Sequence, residues 1–244
     1  MRRALTFALM LVTTLAGRGA AQPSSALRFK VSPWPDAAVL GAAVGAALVP
    51  VVWPSALPSA TCAPCNPAHL WAVDRSVVGP VRKLPDVLSA TTLGAEAALG
   101  IVFLASSRRG EGTAAFAEDA TVIAEAAALT SAATEWTKVL FHRPRPFLYL
   151  PTSTGPATAD DGRSFPSSHT SLAFAAAAAY ASVLHRRGLA GRNKLQIVAL
   201  FTAATATGIL RVVAHRHFPT DVVAGAALGF AIGWAVPAVH ATLP

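Results

Sequence analysis

Six apolar segments, at roughly 37–53, 87–106, 119–140, 168–185, 195–214 and 221–241, constrain this chain more than anything else in it. Most approach the ~20 residues that a helix needs to cross a bilayer. No stretch alternates apolar and polar residues as a half-buried strand would, so the pattern predicts an all-α helical bundle. With about five or six transmembrane helices, such a bundle would be an integral membrane protein. Charged residues make up only 13% of the chain, against roughly 25% in soluble domains. Glu96, Glu125, Glu135 and Lys138 fall inside these segments. At membrane depth such groups are expected to face the bundle interior or a wet cavity.

The links between segments set an orientation. Arg108 and Arg109 lie between the second and third segments, and Arg186, Arg187, Arg192 and Lys194 between the fourth and fifth. The positive-inside rule puts both links in the cytoplasm. The third–fourth and fifth–sixth links then face outward, and so does the irregular stretch 54–86. That parity allows two arrangements of the amino terminus. Either residues 1–21 are a cleaved signal and 37–53 does not span, or 37–53 spans and residues 1–21 do not. The first 21 residues resemble a secretory signal, with Arg2 and Arg3 ahead of apolar Ala4 to Ala16 and small Gly19-Ala20-Ala21 before Gln22. An uncleaved anchor has the same composition. Residues 22–86 read as an amino-terminal apolar segment with an exported loop, and 87–244 as the helical core. Cys62 and Cys65, the two cysteines of the chain, lie in the exported loop, where an oxidising compartment favours a short disulfide between them.

The net charge of +8 comes without a basic run interleaved with aromatics, so nucleic acid is not an expected partner. Short basic links suit a membrane and an anionic substrate instead. Three clusters hold the chemistry. Lys138 to Pro146 reads Lys-x6-Arg-Pro and ends the third segment. Ser164 to Ser171 contains Pro-Ser-Ser-His and opens the fourth. Arg211 to Asp221 reads Arg-x5-His-x3-Asp and joins the last two.

In this order, the clusters resemble the signature of the type 2 phosphatidic acid phosphatase superfamily, which also takes in class A acid phosphatases and vanadium haloperoxidases. The resemblance covers roughly residues 85–240. It implies that His217 is a nucleophile forming a phosphohistidine, with Asp221 on its other ring nitrogen, and that His169 is the general acid and then the general base. A neutral imidazole backed by a carboxylate is the chemistry such a step needs. Asp221 also suits the amino-terminal turn of a helix in its own right. The resemblance further implies a phosphate cage of Lys138, Arg145 and Arg211. The helix start at Ser167 and Ser168 would add backbone N–H groups to it. The chain departs from the family pattern at Ser168, where glycine is usual, and at Leu210, where serine is common.

Arg143 is a further cage candidate on position alone, and His215 lies two residues from the expected nucleophile. His142 and His185 read as interfacial or loop residues, Asp74-Arg75 as a surface pair, and Trp53, Trp71 and Trp136 as an interfacial belt. Asp160 and Asp161 read as solvated loop residues. The implied chemistry calls for no metal and no cofactor. The expected function is hydrolysis of a phosphomonoester or pyrophosphate, on a lipid such as an isoprenoid diphosphate or phosphatidate, at the outer face of a bacterial-type inner membrane. The alternatives are a secreted soluble acid phosphatase, a vanadate-dependent haloperoxidase, and a non-catalytic binding protein.

Overall fold

The computed structural model describes residues 29–241, so the expected signal or anchor at 1–21 lies outside the described residues. Six long helices make up the bundle: α1 (Pro33–Val52), α3 (Lys83–Ser107), α4 (Thr113–Phe141), α5 (Ser168–Arg186), α6 (Lys194–Val213) and α7 (Pro219–His240). A single-turn helix, α2 (Ala72–Arg75), sits in the link between α1 and α3. Strand pairing among the described residues is limited to one isolated bridge between Phe29 and Ala241.

Four helices, α1, α3, α6 and α7, are long and apolar enough to cross a membrane. Their outward faces expose large apolar side chains, including Leu84, Ile101, Val102, Leu195, Ile209, Val223 and Val239. A surface of that kind is stable against lipid rather than water. α4 and α5 are the less apolar pair. α5 needs no lipid-facing hydrophobicity, because it is the axis of the bundle and packs on α3, α4, α6 and α7. Its alanines at 173, 175, 177, 178 and 179 are buried, as are Tyr180, Val183 and Leu184. Alanine has the best helix propensity and lets neighbouring backbones come close.

The closest approach is between α5 and α7. Gly225, Gly229 and Gly233 recur every fourth residue on α7 and face Ser167, Ser171 and Ala175 of α5. A Cβ on Gly229 would run into the Ser171 carbonyl. Gly229→Ala is therefore expected to lower stability by about 1–3 kcal/mol through overpacking, read as a drop in the thermal midpoint in detergent. Gly100→Ala, which meets open space, should leave the midpoint unchanged or raise it. Equal midpoints for the two variants would show that this helix contact is looser than its geometry.

At the opposite end from the clusters, buried Arg187 pairs with Asp119 at 2.6 Å and Glu118 at 3.1 Å. Sequence pattern alone gave Arg187 a topological role; in the structure it also ties α5 to α4. On the same side His240 Nε2 meets Glu125 Oε2 at 2.7 Å, joining α7 to α4.

Candidate active site

The three clusters converge at one end of the bundle because of where the helices stop. α4 ends at Phe141, and His142 takes a left-handed conformation (φ 32°). Pro144 and Pro146 then forbid further helix and hold the chain extended, which turns Arg143 and Arg145 inward. α6 ends at Val213, and a second left-handed residue, His215 (φ 58°), reverses the chain. The backbone N–H groups of Arg216 and His217 both return to the Arg211 carbonyl, at 3.1 and 3.3 Å. Pro219 then starts α7, a position where its fixed φ and missing N–H cost nothing.

His217 is almost wholly buried, with 1% of its surface exposed. Its Nδ1 lies 2.8 Å from the Ser164 carbonyl and its Nε2 3.1 Å from an Arg145 terminal nitrogen. A carbonyl can only accept and a guanidinium can only donate. Nδ1 therefore carries the proton, and the Nε2 lone pair points at the cations. Burial disfavours the imidazolium, and Arg145, Arg211 and Lys138 disfavour it further, so the proton affinity of His217 is well below its ordinary value despite Asp160. The ring is neutral at neutral pH.

Asp221 does not hold the ring N–H as the sequence led one to expect. Its Oδ2 is 3.6 Å from Nδ1, beyond hydrogen-bond range. That oxygen instead accepts the Ser164 hydroxyl at 2.5 Å and the Phe218 N–H at 2.9 Å. The carboxylate thus caps α7 and anchors Ser164, whose own carbonyl orients His217. Arg143 belongs to this supporting layer and not to the cage. Its guanidinium meets Asp221 at 2.6 Å, Thr220 at 2.7 Å and Asp74 at 2.8 Å, and it lies over the Phe218 ring. Asp74 is accordingly no surface residue. It is 1% exposed and accepts from Thr220 and Arg143, while Arg75 bonds the Ala68 and Leu70 carbonyls.

A cleft of about 360 Å³ is lined by Asp86, Val87, Ala90, Arg145, Asp160, His169, Arg211 and Arg216, and His217 adjoins it through Arg145. His169 has no hydrogen-bond partner among the described residues. Arg211 is held by Asp86 at 2.6 Å and by Ser89 at 3.1 Å, so a hydroxyl reaches this arginine from α3 although Leu210 stands where the family often has serine. The Arg211 Nε is buried and unpartnered. Asp86 also holds Arg216 through two bonds, at 2.7 and 2.9 Å. Arg145 bonds the Arg216 carbonyl at 2.9 Å and the Asp160 carbonyl at 3.0 Å, besides the Asp160 carboxylate. Lys138 reaches Glu135 at 3.1 Å and Asp160 at 3.4 Å.

Ser167 differs from expectation. The Ser167 N–H is committed to the Asp221 carbonyl at 3.1 Å and is not a free donor, and the Ser168 hydroxyl bonds Glu135 at 2.7 Å. Ser168 lies in the first turn of α5 and is not among the positive-φ residues, so serine fits where glycine is usual. His215 does not reach the cleft: its Nδ1 meets the Pro80 carbonyl at 2.8 Å and its ring packs against Gly79. Cys62 and Cys65 are joined by a disulfide, in a loop whose Cys65 N–H bonds the Leu148 carbonyl at 2.9 Å. Asp86, Ser89, Glu135, Asp160, Ser164 and Arg216 were not assigned roles from sequence. Glu135 and Ser164 carried a signal there, one as an acid inside an apolar segment and the other as the first residue of its cluster.

The model of the PAP2 superfamily matches residues 119–243. Lipid A 1-phosphatase of Porphyromonas gingivalis is 41% identical over 70 residues, which is 29% of this chain and 15% of that protein. A transmembrane PAP2-type phosphatidylglycerolphosphate phosphatase from Bacillus subtilis, known from a crystal structure, aligns over 84% of this chain and 96% of its own. Its TM-score is 0.47 and its identity 18%.

Proposed function

This chain belongs to the PAP2 superfamily, and from that premise we propose that it is a membrane phosphatase releasing a terminal phosphate from a lipid through a phosphohistidine on His217. The observation behind the reading is the tautomer of His217: its lone pair faces Arg145 beside the cleft that His169 lines. The unpartnered Nε of Arg211 supports it, as a buried donor that a phosphate oxygen would satisfy.

In the first step the Nε2 lone pair attacks phosphorus. The bond to the leaving oxygen breaks, and His169, which takes up a proton once the substrate's charge offsets that of Arg211, Lys138 and Arg145 beside it, gives that oxygen the proton. In the second step His169 takes a proton from water as the water attacks the phosphohistidine, and the P–N electron pair returns to Nε2. Arg145 and Arg211, with Lys138 behind them, bind the equatorial oxygens, where charge spreads in the transition state. Asp221, 3.6 Å from Nδ1, stabilises the positive ring of the intermediate. The membrane is proposed to be a bacterial-type inner membrane with this end of the bundle outward, a reading that rests on the basic links. The three units suggested by sequence, 1–21, 22–86 and 87–244, remain part of the proposal.

The test is a substrate panel with chelator present. Purified protein in detergent is given an isoprenoid diphosphate, phosphatidate, lipid A and a soluble phosphomonoester. Phosphate release from at least one lipid is expected, together with retention in the membrane after a carbonate wash. Release from the soluble ester alone, with carbonate extraction, would replace this reading by the secreted acid phosphatase. No release from any of the four would sink both.

A further inference from the structure

Asp160 occupies the place expected of a substrate phosphate. One carboxylate oxygen is 2.6 Å from Arg145 and the other 3.4 Å from Lys138, so the group bridges two of the proposed cage cations. It lines the same cleft as His169 and Arg211, and its side chain is 60% exposed. The turn that bears it is braced. Ser59 donates to the Ala159 carbonyl at 2.7 Å, and Arg145 N–H to the Asp161 carbonyl at 2.9 Å. Arg163 binds the carbonyls of Pro54 and Leu57 at 2.7 Å and Pro58 at 2.9 Å. The Asp160 side chain, then, is the part free to move. Arg145 does not depend on that carboxylate alone, since two backbone carbonyls also hold it.

Burial opposes the charge on Asp160, but the cations Arg145 and Lys138 outweigh it and keep the carboxyl well below the usual range. A permanent monoanion with two oxygens therefore competes for the cage at the high effective concentration of a tethered group. A phosphodiester is also a monoanion with two free oxygens, and it gains no more from the cage than Asp160 loses. A terminal phosphate has three acceptor oxygens and close to two charges near neutral pH, so it gains more.

Resting on the phosphatase reading above, we propose that Asp160 is an autoinhibitory residue: a built-in competing anion that a terminal phosphate displaces and that leaves a phosphodiester headgroup no net gain on entering the cage. For an enzyme embedded in phosphodiester lipids, that exclusion acts against the most concentrated competitor present.

The experiment measures inhibition of phosphomonoester hydrolysis in mixed micelles by phosphatidylethanolamine and by inorganic phosphate, for the wild type and for Asp160→Asn. Phosphatidylethanolamine has no net charge, so a general gain of positive field does not mimic the effect. In the variant its inhibition constant is expected to fall by about tenfold or more, and the constant of inorganic phosphate and KM for the monoester to fall by a similar factor, since each ligand must displace the same carboxylate. Asp160→Ser is read in the same way should the asparagine variant not fold. An unchanged constant for phosphatidylethanolamine overturns the proposal. So does a fall confined to inorganic phosphate, which would mark a general gain of positive field, or a rise in KM, which would mark a residue that only positions Arg145. Calorimetric binding of inorganic phosphate to both proteins needs no turnover. It separates failure of this inference from an inactive wild type, which would be failure of the phosphatase reading.

Discussion

His217→Ala is expected to lower kcat by about 10⁴-fold or more, the scale lost when a covalent nucleophile is removed from a group of residues acting as a unit. The lone pair of the ring is aimed at Arg145, and its tautomer is set from both sides. Since the side chain is fully buried, alanine also leaves a cavity. His217→Gln fills more of it and should be equally inactive, which separates chemistry from folding. The companion variant distinguishes the two steps. His169→Ala is expected to lose about 10²–10⁴-fold in steady-state rate. With an aryl phosphate, whose leaving group needs no proton, its first step survives while its second lacks a base. The variant should then accumulate acid-labile, radiolabelled protein that His217→Ala does not form. Label in His217→Ala, or wild-type turnover by it, would remove His217 from the mechanism.

The second large effect concerns Asp221. Alanine here strips a buried partner from Arg143 and leaves the Ser164 hydroxyl and the Phe218 N–H unpaired. Breaking a buried, hydrogen-bonded pair from one side costs roughly 3–5 kcal/mol, so the thermal midpoint of Asp221→Ala should fall sharply. Asp221→Asn preserves the shape, and Arg143 still has Asp74, so its stability should lie much closer to wild type. Its kcat should nonetheless fall by about 10²–10³-fold, because the charge facing the developing imidazolium is gone. An asparagine variant with wild-type kcat would reduce Asp221 to a helix cap and an anchor for Ser164.

Much of the fold was legible without coordinates, and the reason lies in local physics. Bilayer-length apolar runs and prolines at their ends mark helices from neighbours in sequence alone, and α1, α3, α6 and α7 follow that reading. α5 shows the limit of hydropathy. A helix buried on all sides by other helices can be built of alanine and serine, and its central place emerges only when Gly225, Gly229 and Gly233 of α7 close on it. The three clusters were also legible, since each is contiguous and sits at a segment end.

Contacts between distant residues were not legible. Arg211 depends on Asp86, 125 residues away, and Thr220 on Asp74, 146 away. An acid near a helix start or in a loop carries no sign of which cation it will meet, so Asp74 and Asp160 passed for surface groups and the role of Arg143 stayed open. By itself the sequence determined the helices, their ends and the three clusters that come together, because these depend on short-range spacing and on side-chain type. The tertiary structure alone decided which carboxylate faces which cation, that the Ser164 carbonyl rather than Asp221 accepts the His217 N–H, and that Asp160 bridges Arg145 and Lys138. Pairings of that kind are settled by which helix ends meet, and a carboxylate or guanidinium in that layer must find its partner there because burial leaves it no water to turn to.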